Sequence, residues 1–204
     1  MSFSYQQELL RKSVHLSSLW MVLAVCFLPR IFLLFLFGVL LILNICIEYG
    51  YYKNQPFCQT VYGKLFGKML REKETDGKFH LSGSPYVLGA AFTVTFLFPK
   101  EAAATALTVM FLGDTAAALF GRKYGKHKIN DGKKSVEGSL AFFSVSLAVL
   151  YFFSIVYDFP ALVWMAGIGG IFLATLAEVY EDKLRIDDNL SVPLCVGFAL
   201  SAML

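Results

Sequence analysis

Apolar residues run in long blocks along this chain, at 14–28, 31–47, 85–98, 102–120, 138–157, 161–180 and 190–204, and polar residues collect between them. Seven such blocks predict about seven membrane-spanning helices, because a helix needs about 20 apolar residues to cross ~30 Å of hydrocarbon. Several blocks are shorter than that, so these spans are expected to extend into flanking polar residues or to meet a locally thin bilayer. The expected fold class is therefore all-α, a polytopic integral membrane helical bundle that uses residues 1–204 as one membrane-embedded domain. Composition agrees: 57% hydrophobic and 16% charged residues, with a mean hydropathy of +0.61, lie outside the range of a soluble domain of this size. A cleaved signal peptide is the competing reading of the first block, since Arg11 and Lys12 precede a short apolar core. The cleavage pattern is poor, because Leu23-Ala24-Val25-Cys26 only loosely resembles a lipoprotein processing site and a second block follows directly.

Charge placement sets the expected orientation. Of the 18 Lys and Arg residues, all but Arg30 and Lys100 fall before the first block or in alternate loops, at about 48–84, 121–137 and 181–190. By the positive-inside rule, the N-terminus and those loops face the cytoplasm. The net charge of +3 is small, but its concentration on one face suits anionic lipid headgroups or a nucleotide; topology alone is the plainer explanation for most of these lysines. No nucleic-acid partner is expected. Cys26, Cys46, Cys58 and Cys195 show no CxxC spacing, so neither a disulfide frame nor a zinc site is indicated.

Two loops hold most of the polar sequence. In the first, Val61, Leu65, Phe66, Met69 and Leu70 share one helical face and Lys64, Lys68 and Arg71 the other, which predicts an amphipathic helix lying on the membrane. The second is glycine-rich and basic, from Gly121-Arg122-Lys123-Tyr124-Gly125 to Asp131-Gly132-Lys133-Lys134-Ser135. It is not a Walker loop, because no glycine stands five positions upstream of Gly132.

Acidic residues within the apolar blocks are sharper evidence. A carboxylate in hydrocarbon costs at least a few kcal/mol unless a partner, water or ion compensates it. Asp114 lies seven residues before Gly121, so about 10 Å below the end of its helix, near the depth of a lipid hydroxyl; pairing with a lysine or capping a neighbouring helix is the structural alternative. Glu178, Glu181 and Asp182 follow at i, i+3 and i+4, then Asp187, Asp188 and Asn189. Negative charge is disfavoured at a helix C-terminus, so a cation is expected there. Arg185 can serve Glu181, and a magnesium ion with oxygen ligands fits Glu178, Asp187 and Asp188, while Glu181 and Asp182 read better as a solvated acidic turn. Three helix starts, at Ser82-Gly83-Ser84-Pro85, Ser135-Val136-Glu137-Gly138-Ser139 and Asn189-Leu190-Ser191-Val192-Pro193, carry good N-caps. Their free backbone N–H groups suit phosphate. Beside Lys133, Lys134 and the acidic turn they outline a nucleoside triphosphate and its metal.

Taken together, Glu8-Leu9-Leu10-Arg11-Lys12-Ser13-Val14-His15, His80-Leu81-Ser82-Gly83, Gly113-Asp114, Gly121, Gly125, Lys134-Ser135-Val136-Glu137-Gly138-Ser139, Glu178 and Asp187-Asp188-Asn189-Leu190-Ser191-Val192-Pro193 resemble the polyprenol kinase family. That family includes dolichol kinases, phytol kinases and the fungal CTP-dependent diacylglycerol kinases. The resemblance implies an integral membrane enzyme that moves the terminal phosphate of CTP to the hydroxyl of a membrane lipid alcohol, with Mg2+ or another divalent cation. It implies Asp114, Lys12 and Arg11 as catalytic residues. It also implies Lys133, Lys134, Ser135, Glu137, Gly138, Ser139, Gly121, Ser82 and Gly83 at the nucleotide, and Asp114, Glu178, Asp187 and Asp188 as metal ligands. His15, His80 and Asn189 complete the expected site, although Arg11 and Lys12 read equally as topological anchors and His15 as a packed interfacial histidine. The chain lacks the extra N-terminal spans of dolichol kinases. Two other readings are a CTP-dependent phosphatidate cytidylyltransferase and a transporter with Asp114 and Glu178 on an ion path. The first leaves the C-terminal Asp187-Asp188-Asn189 unexplained, the second the segment from Lys134 to Ser139.

Overall fold

The computed structural model describes residues 5–60 and 79–204. The amphipathic helix expected between Val61 and Arg71 lies outside the described residues. Helices α1 (Tyr5–Ser17), α2 (Trp20–Phe27), α3 (Arg30–Tyr52), α4 (Gly83–Leu97) and α5 (Lys100–Tyr124) come first, then a hairpin of β1 (Lys128–Ile129) and β2 (Lys134–Ser135). Helices α6 (Val136–Val156), α7 (Ala161–Val179), α8 (Glu181–Leu184) and α9 (Asp188–Ser201) complete the order.

Among the described residues, five segments are long and apolar enough to cross a membrane: Tyr5–Phe27, Arg30–Tyr52, Lys100–Tyr124, Val136–Val156 and Ala161–Val179. The blocks at 85–98 and 190–204 form helices of only 15 and 14 residues, ~21–23 Å long at the α-helical rise and short of the hydrocarbon thickness. Each buries one face against protein, with Ala90, Ala91 and Val94 of α4 and Val192, Val196 and Leu200 of α9 fully buried, and leaves apolar residues such as Phe96, Leu97 and Phe198 exposed.

The first block also differs from expectation. Residues before it form the start of α1 rather than a basic tail, which buries Glu8 and Lys12. The run then breaks after Ser17, where tight i−3 bonds join Ser18 to His15 and Leu19 to Leu16. Ser17 and Ser18 both turn their hydroxyls back onto the Val14 carbonyl, and back-bonding serines bend helices.

α5 is the pillar of the bundle. Within its most apolar window 72% of residues are buried, against 17% for α3. The alanines at 102, 103, 104 and 106 are almost wholly enclosed, and small residues let helices approach closely where lipid supplies no hydrophobic drive. α1, α2, α6 and α9 all pack on α5, α3 on α4, and α7 on α6 and α9. Outward faces remain apolar, with Phe27, Ile31, Phe35 and Ile42 exposed, which suits a lipid surround.

The α5–α6 contact is closest at Gly138. A Cβ there would come within 2.9 Å of the Ala117 carbonyl oxygen and 3.1 Å of the Gly121 Cα. Backbone cannot step aside as a flexible side chain can, so Gly138→Ala is expected to cost roughly 1–3 kcal/mol. Gly89 of α4 meets nothing within 4 Å, and Gly89→Ala should be neutral or slightly stabilising on helix propensity alone. Thermal unfolding of the two purified variants compares them; equal midpoints would contradict the close approach.

Candidate active site

Helical spacing brings Glu8, Arg11, Lys12 and His15 (i, i+3, i+4, i+7) to one side of α1, and that side lies along α5. The Lys12 ammonium donates to Asp114 Oδ2, from a residue 102 positions away. His15 Nε2 is 3.3 Å from the same oxygen, and its ring stands edge-on to Phe111 at 5.0 Å. One turn earlier, Glu8 accepts from Arg11 at 2.6 Å and lies 3.0 Å from Arg122 near the end of α5. The order 15 to 111, 12 to 114 and 8 to 122 makes α1 and α5 antiparallel.

A second charged group surrounds Lys134. The hairpin carries it, turning through Asn130, Asp131 and Gly132, all at positive φ, where Asn, Asp and Gly are the residues best tolerated. The side-chain amide of Asn130 donates to the Val179 carbonyl at 2.9 Å, which ties the turn to the end of α7. Lys134 Nζ is then 2.5 Å from Glu178, 3.8 Å from Glu181 and 3.7 Å from Asp188. Burial alone would lower the Lys134 ammonium, but Asp188 and Glu178 outweigh that and hold it well above the ordinary lysine range. Lys133 bonds Asp182 at 2.6 Å on the exposed side of the turn, and this bond raises it as well.

The two groups are neighbours, near enough for Asp188 to act electrostatically on Arg11 and His15 and for Asp114 to act on Lys134. Cations predominate on the α1–α5 side and carboxylates on the α7–α9 side.

The expected metal ligands are gathered differently. Asp114 faces Lys12 and Glu178 faces Lys134, whereas Glu181, Asp187 and Asp188 each offer an oxygen within 4.8 Å of the others. Glu181 therefore stands in the cluster rather than on a solvated turn, and the cation beside it is Lys134. Arg185, expected to serve it by i+4 spacing, is a left-handed helix cap instead. Carboxylate oxygens in that number suit a hard divalent cation such as Mg2+, and Glu178 Oε2 is buried with no hydrogen-bond partner. The residues fit the ion.

The remaining expected nucleotide residues divide. Ser135 is buried and caps α6 by accepting from the Gly138 N–H at 3.2 Å, Ser139 donates to the Ser135 carbonyl, and Gly121 and Gly138 are the meeting point of α5 and α6. Glu137 accepts from the His127 backbone N–H and lies 2.7 Å from its ring nitrogen. Ser82 caps α4 and donates to the buried Glu48, which also accepts from the Ser82 N–H at 3.0 Å. Gly83 opens α4, and His80 is exposed in the segment before it. Asp187 caps α9 and accepts from both the backbone and side-chain N–H of Asn189. Sequence reasoning missed Arg122 and the roles of Glu8, Glu48 and Asn130. Glu8 has i+3 and i+4 spacing to Arg11 and Lys12 that would have placed it once residues 5–13 were read as helix.

Over 94% of its length the chain is 31% identical to an uncharacterized protein of Rickettsia prowazekii, covering 91% of that protein. It is 29% identical over 74% of its length to the CTP-dependent diacylglycerol kinase of Saccharomyces cerevisiae, spanning 57% of that enzyme. With the dolichol kinase of Schizosaccharomyces pombe it shares 25% identity over 98% of its length, spanning 41% of that enzyme. The chain belongs to the polyprenol kinase family. No family model matches it, nor does any solved structure. Its named relatives are lipid kinases, and with five helical segments of spanning length among the described residues it is a multi-pass membrane protein.

Lys134 and Lys133 should differ sharply when lost. Lys134→Met strips the ammonium from three carboxylates and is expected to destabilise by roughly 3 kcal/mol, the lower end of the range for a broken buried pair, because its side chain is 24% exposed. Lys133→Met breaks a surface pair worth at most about 1 kcal/mol. Thermal unfolding of each purified variant measures both; similar losses would contradict the buried role of Lys134.

Proposed function

We propose that this member of the polyprenol kinase family is a CTP-dependent lipid kinase. It transfers the terminal phosphate of CTP to the hydroxyl of a membrane lipid alcohol, of the polyprenol, dolichol, phytol or diacylglycerol type, at a site open to the cytoplasm. The observation that carries this reading is a buried carboxylate, Asp114, held by Lys12 with His15 nearby inside the bundle, beside Lys134 and the acidic cluster. The names of the relatives supply the alcohol class, and the diacylglycerol kinase relative supplies CTP.

Phosphoryl transfer asks chiefly for positioning and for neutralisation of charge on the phosphoryl oxygens. Lys12 supplies positive charge at the reacting end, Arg11 supplies it farther along the phosphates, and Lys134 supplies it from the hairpin. The lipid hydroxyl reaches Asp114 from the headgroup boundary, about 15 Å below the end of α5. As its oxygen bonds the terminal phosphorus, the bond from that phosphorus to the bridging oxygen breaks, CDP departs, and the hydroxyl proton passes to Asp114. Lys12 orients that carboxylate. Glu181, Asp187 and Asp188 would hold Mg2+, which when bound neutralises the oxygens of the two terminal phosphates.

Incubating the purified protein with CTP labelled at either the alpha or the gamma phosphate and a panel of lipid alcohols tests the reading. Label should enter lipid from the gamma position alone. Label from the alpha position would mean a cytidylyltransferase, and label from neither would overturn the kinase. Asp114→Asn should lower transfer at least 100-fold while the protein still inserts in membranes; full activity would remove Asp114 from the mechanism. Asp188→Asn should raise the magnesium concentration needed for half-maximal rate, and an unchanged titration would argue against a metal there.

A further inference from the structure

We propose that Glu8 is a positioning residue that holds Arg11 and Arg122 together as a guanidinium pair, which binds the phosphates that stay with the nucleotide. Its ligand identity rests on the kinase reading above; its geometry does not. Glu8 is buried, with its side chain 4% exposed, and its two oxygens divide between the arginines, Oε1 at 2.6 Å from Arg11 and Oε2 at 3.0 Å from Arg122. One carboxylate thus brings two cations from different helices to the same point.

Two features point from this pair to an anion. Along the α1–α5 seam the single carboxylate of Glu8 is shared by two guanidinium groups, Arg11 and Arg122, so it offsets the charge of one of them. The Arg11 Nε is buried with no acceptor, and an unsatisfied guanidinium N–H in such a place lacks only an oxygen to complete it. Phosphate oxygens match the planar donor fork of arginine.

Position decides which phosphates. Arg122 is eight residues beyond Asp114 on α5, ~12 Å along the axis, and Glu8 is one turn before Lys12 on α1. The pair therefore lies away from the reacting end, toward the end of α5. A phosphate chain with its terminal group at Lys12 and Asp114 extends past Arg11 and Arg122.

Calorimetric binding of inorganic tripolyphosphate to the detergent-solubilised full chain, in magnesium buffer, tests the clamp without needing turnover or a nucleobase. Wild-type protein should bind, and Glu8→Gln, which keeps the shape and removes the charge, should weaken binding about tenfold or more. Arg122→Gln, on a side chain 37% exposed and so tolerant of change, should weaken it to a similar degree. The double variant should lose less than the sum of the two single losses, because part of what Glu8 does passes through Arg122. Lys123→Gln, one residue away on the exposed surface, should leave binding within about twofold, which separates the clamp from general cationic attraction. Failure of wild-type protein to bind overturns the proposal, as does binding within twofold of wild type in Arg122→Gln, or full additivity in the double variant. Should Glu8→Gln not fold, Arg122→Gln decides alone. Tripolyphosphate binding by a protein that labels no lipid from CTP would sink the kinase reading and leave the clamp standing.

Discussion

A charge inside a lipid-embedded bundle must find its counter-charge within the protein, and the Lys12–Asp114 contact meets that demand across 102 residues of sequence. Neither partner has water to retreat to, so the two helices that carry them are held in one register and one orientation. A pair of leucines would join α1 to α5 at least as well, since exchanging a buried ion pair for apolar side chains is often neutral or stabilising. Buried ions that stability does not require are better explained by chemistry. Glu8 with its two arginines, and Lys134 with its three carboxylates, repeat the pattern in the same pocket.

The rest of the fold serves to hold those ions. α5 presents Asp114 and Arg122 to α1, and Gly121 to the start of α6, so one helix touches both sides of the site. Its alanines let the neighbouring helices close in. The glycines at 121 and 138 bring α6 against α5, and the buried cap at Ser135 then fixes where the hairpin leaves the bundle. Lys134 reaches Glu178 because that hairpin is tied to α7 through Asn130. Packing glycines, an N-cap and a turn residue thus determine where a single ammonium stands.

Much of this was legible in the sequence, and the parts that were not have physical reasons. Apolar blocks announced the helices, since hydrocarbon imposes its thickness on residue number. At 85–98 and 190–204 the blocks form helices of 15 and 14 residues, because an apolar run announces a helix without fixing its length. Asp114 stood out as a carboxylate in an apolar block, and a lysine was weighed as its partner. That the lysine is Lys12 depends on residues 5–13 being helical, and a basic stretch before an apolar run carries little periodic signal of its own. The acidic run after Glu178 announced a need for positive charge but not its source: Arg185 had the right spacing, yet the backbone turns left-handed there. Asn130-Asp131-Gly132 was the overlooked hairpin signal. It matters because it carries the cation that Arg185 does not supply.

The division of charge in the pocket bears on how it can work. Among the described residues, carboxylates gather on the α7–α9 side at Glu178, Glu181, Asp187 and Asp188, and cations gather on the α1–α5 side at Arg11, Lys12 and Arg122. Lys134 stays protonated well beyond neutral pH, so a pH change near neutrality does not alter its share. A ligand of one sign would satisfy only one side. A polyphosphate with its divalent cation satisfies both, with the anion along the arginines and the cation among the carboxylates, and each weakens the repulsion that would oppose binding the other. The pocket thereby favours the metal-bound nucleotide over either component alone. Specificity for the pair then follows from where the fixed charges are, before any contact with the base is made.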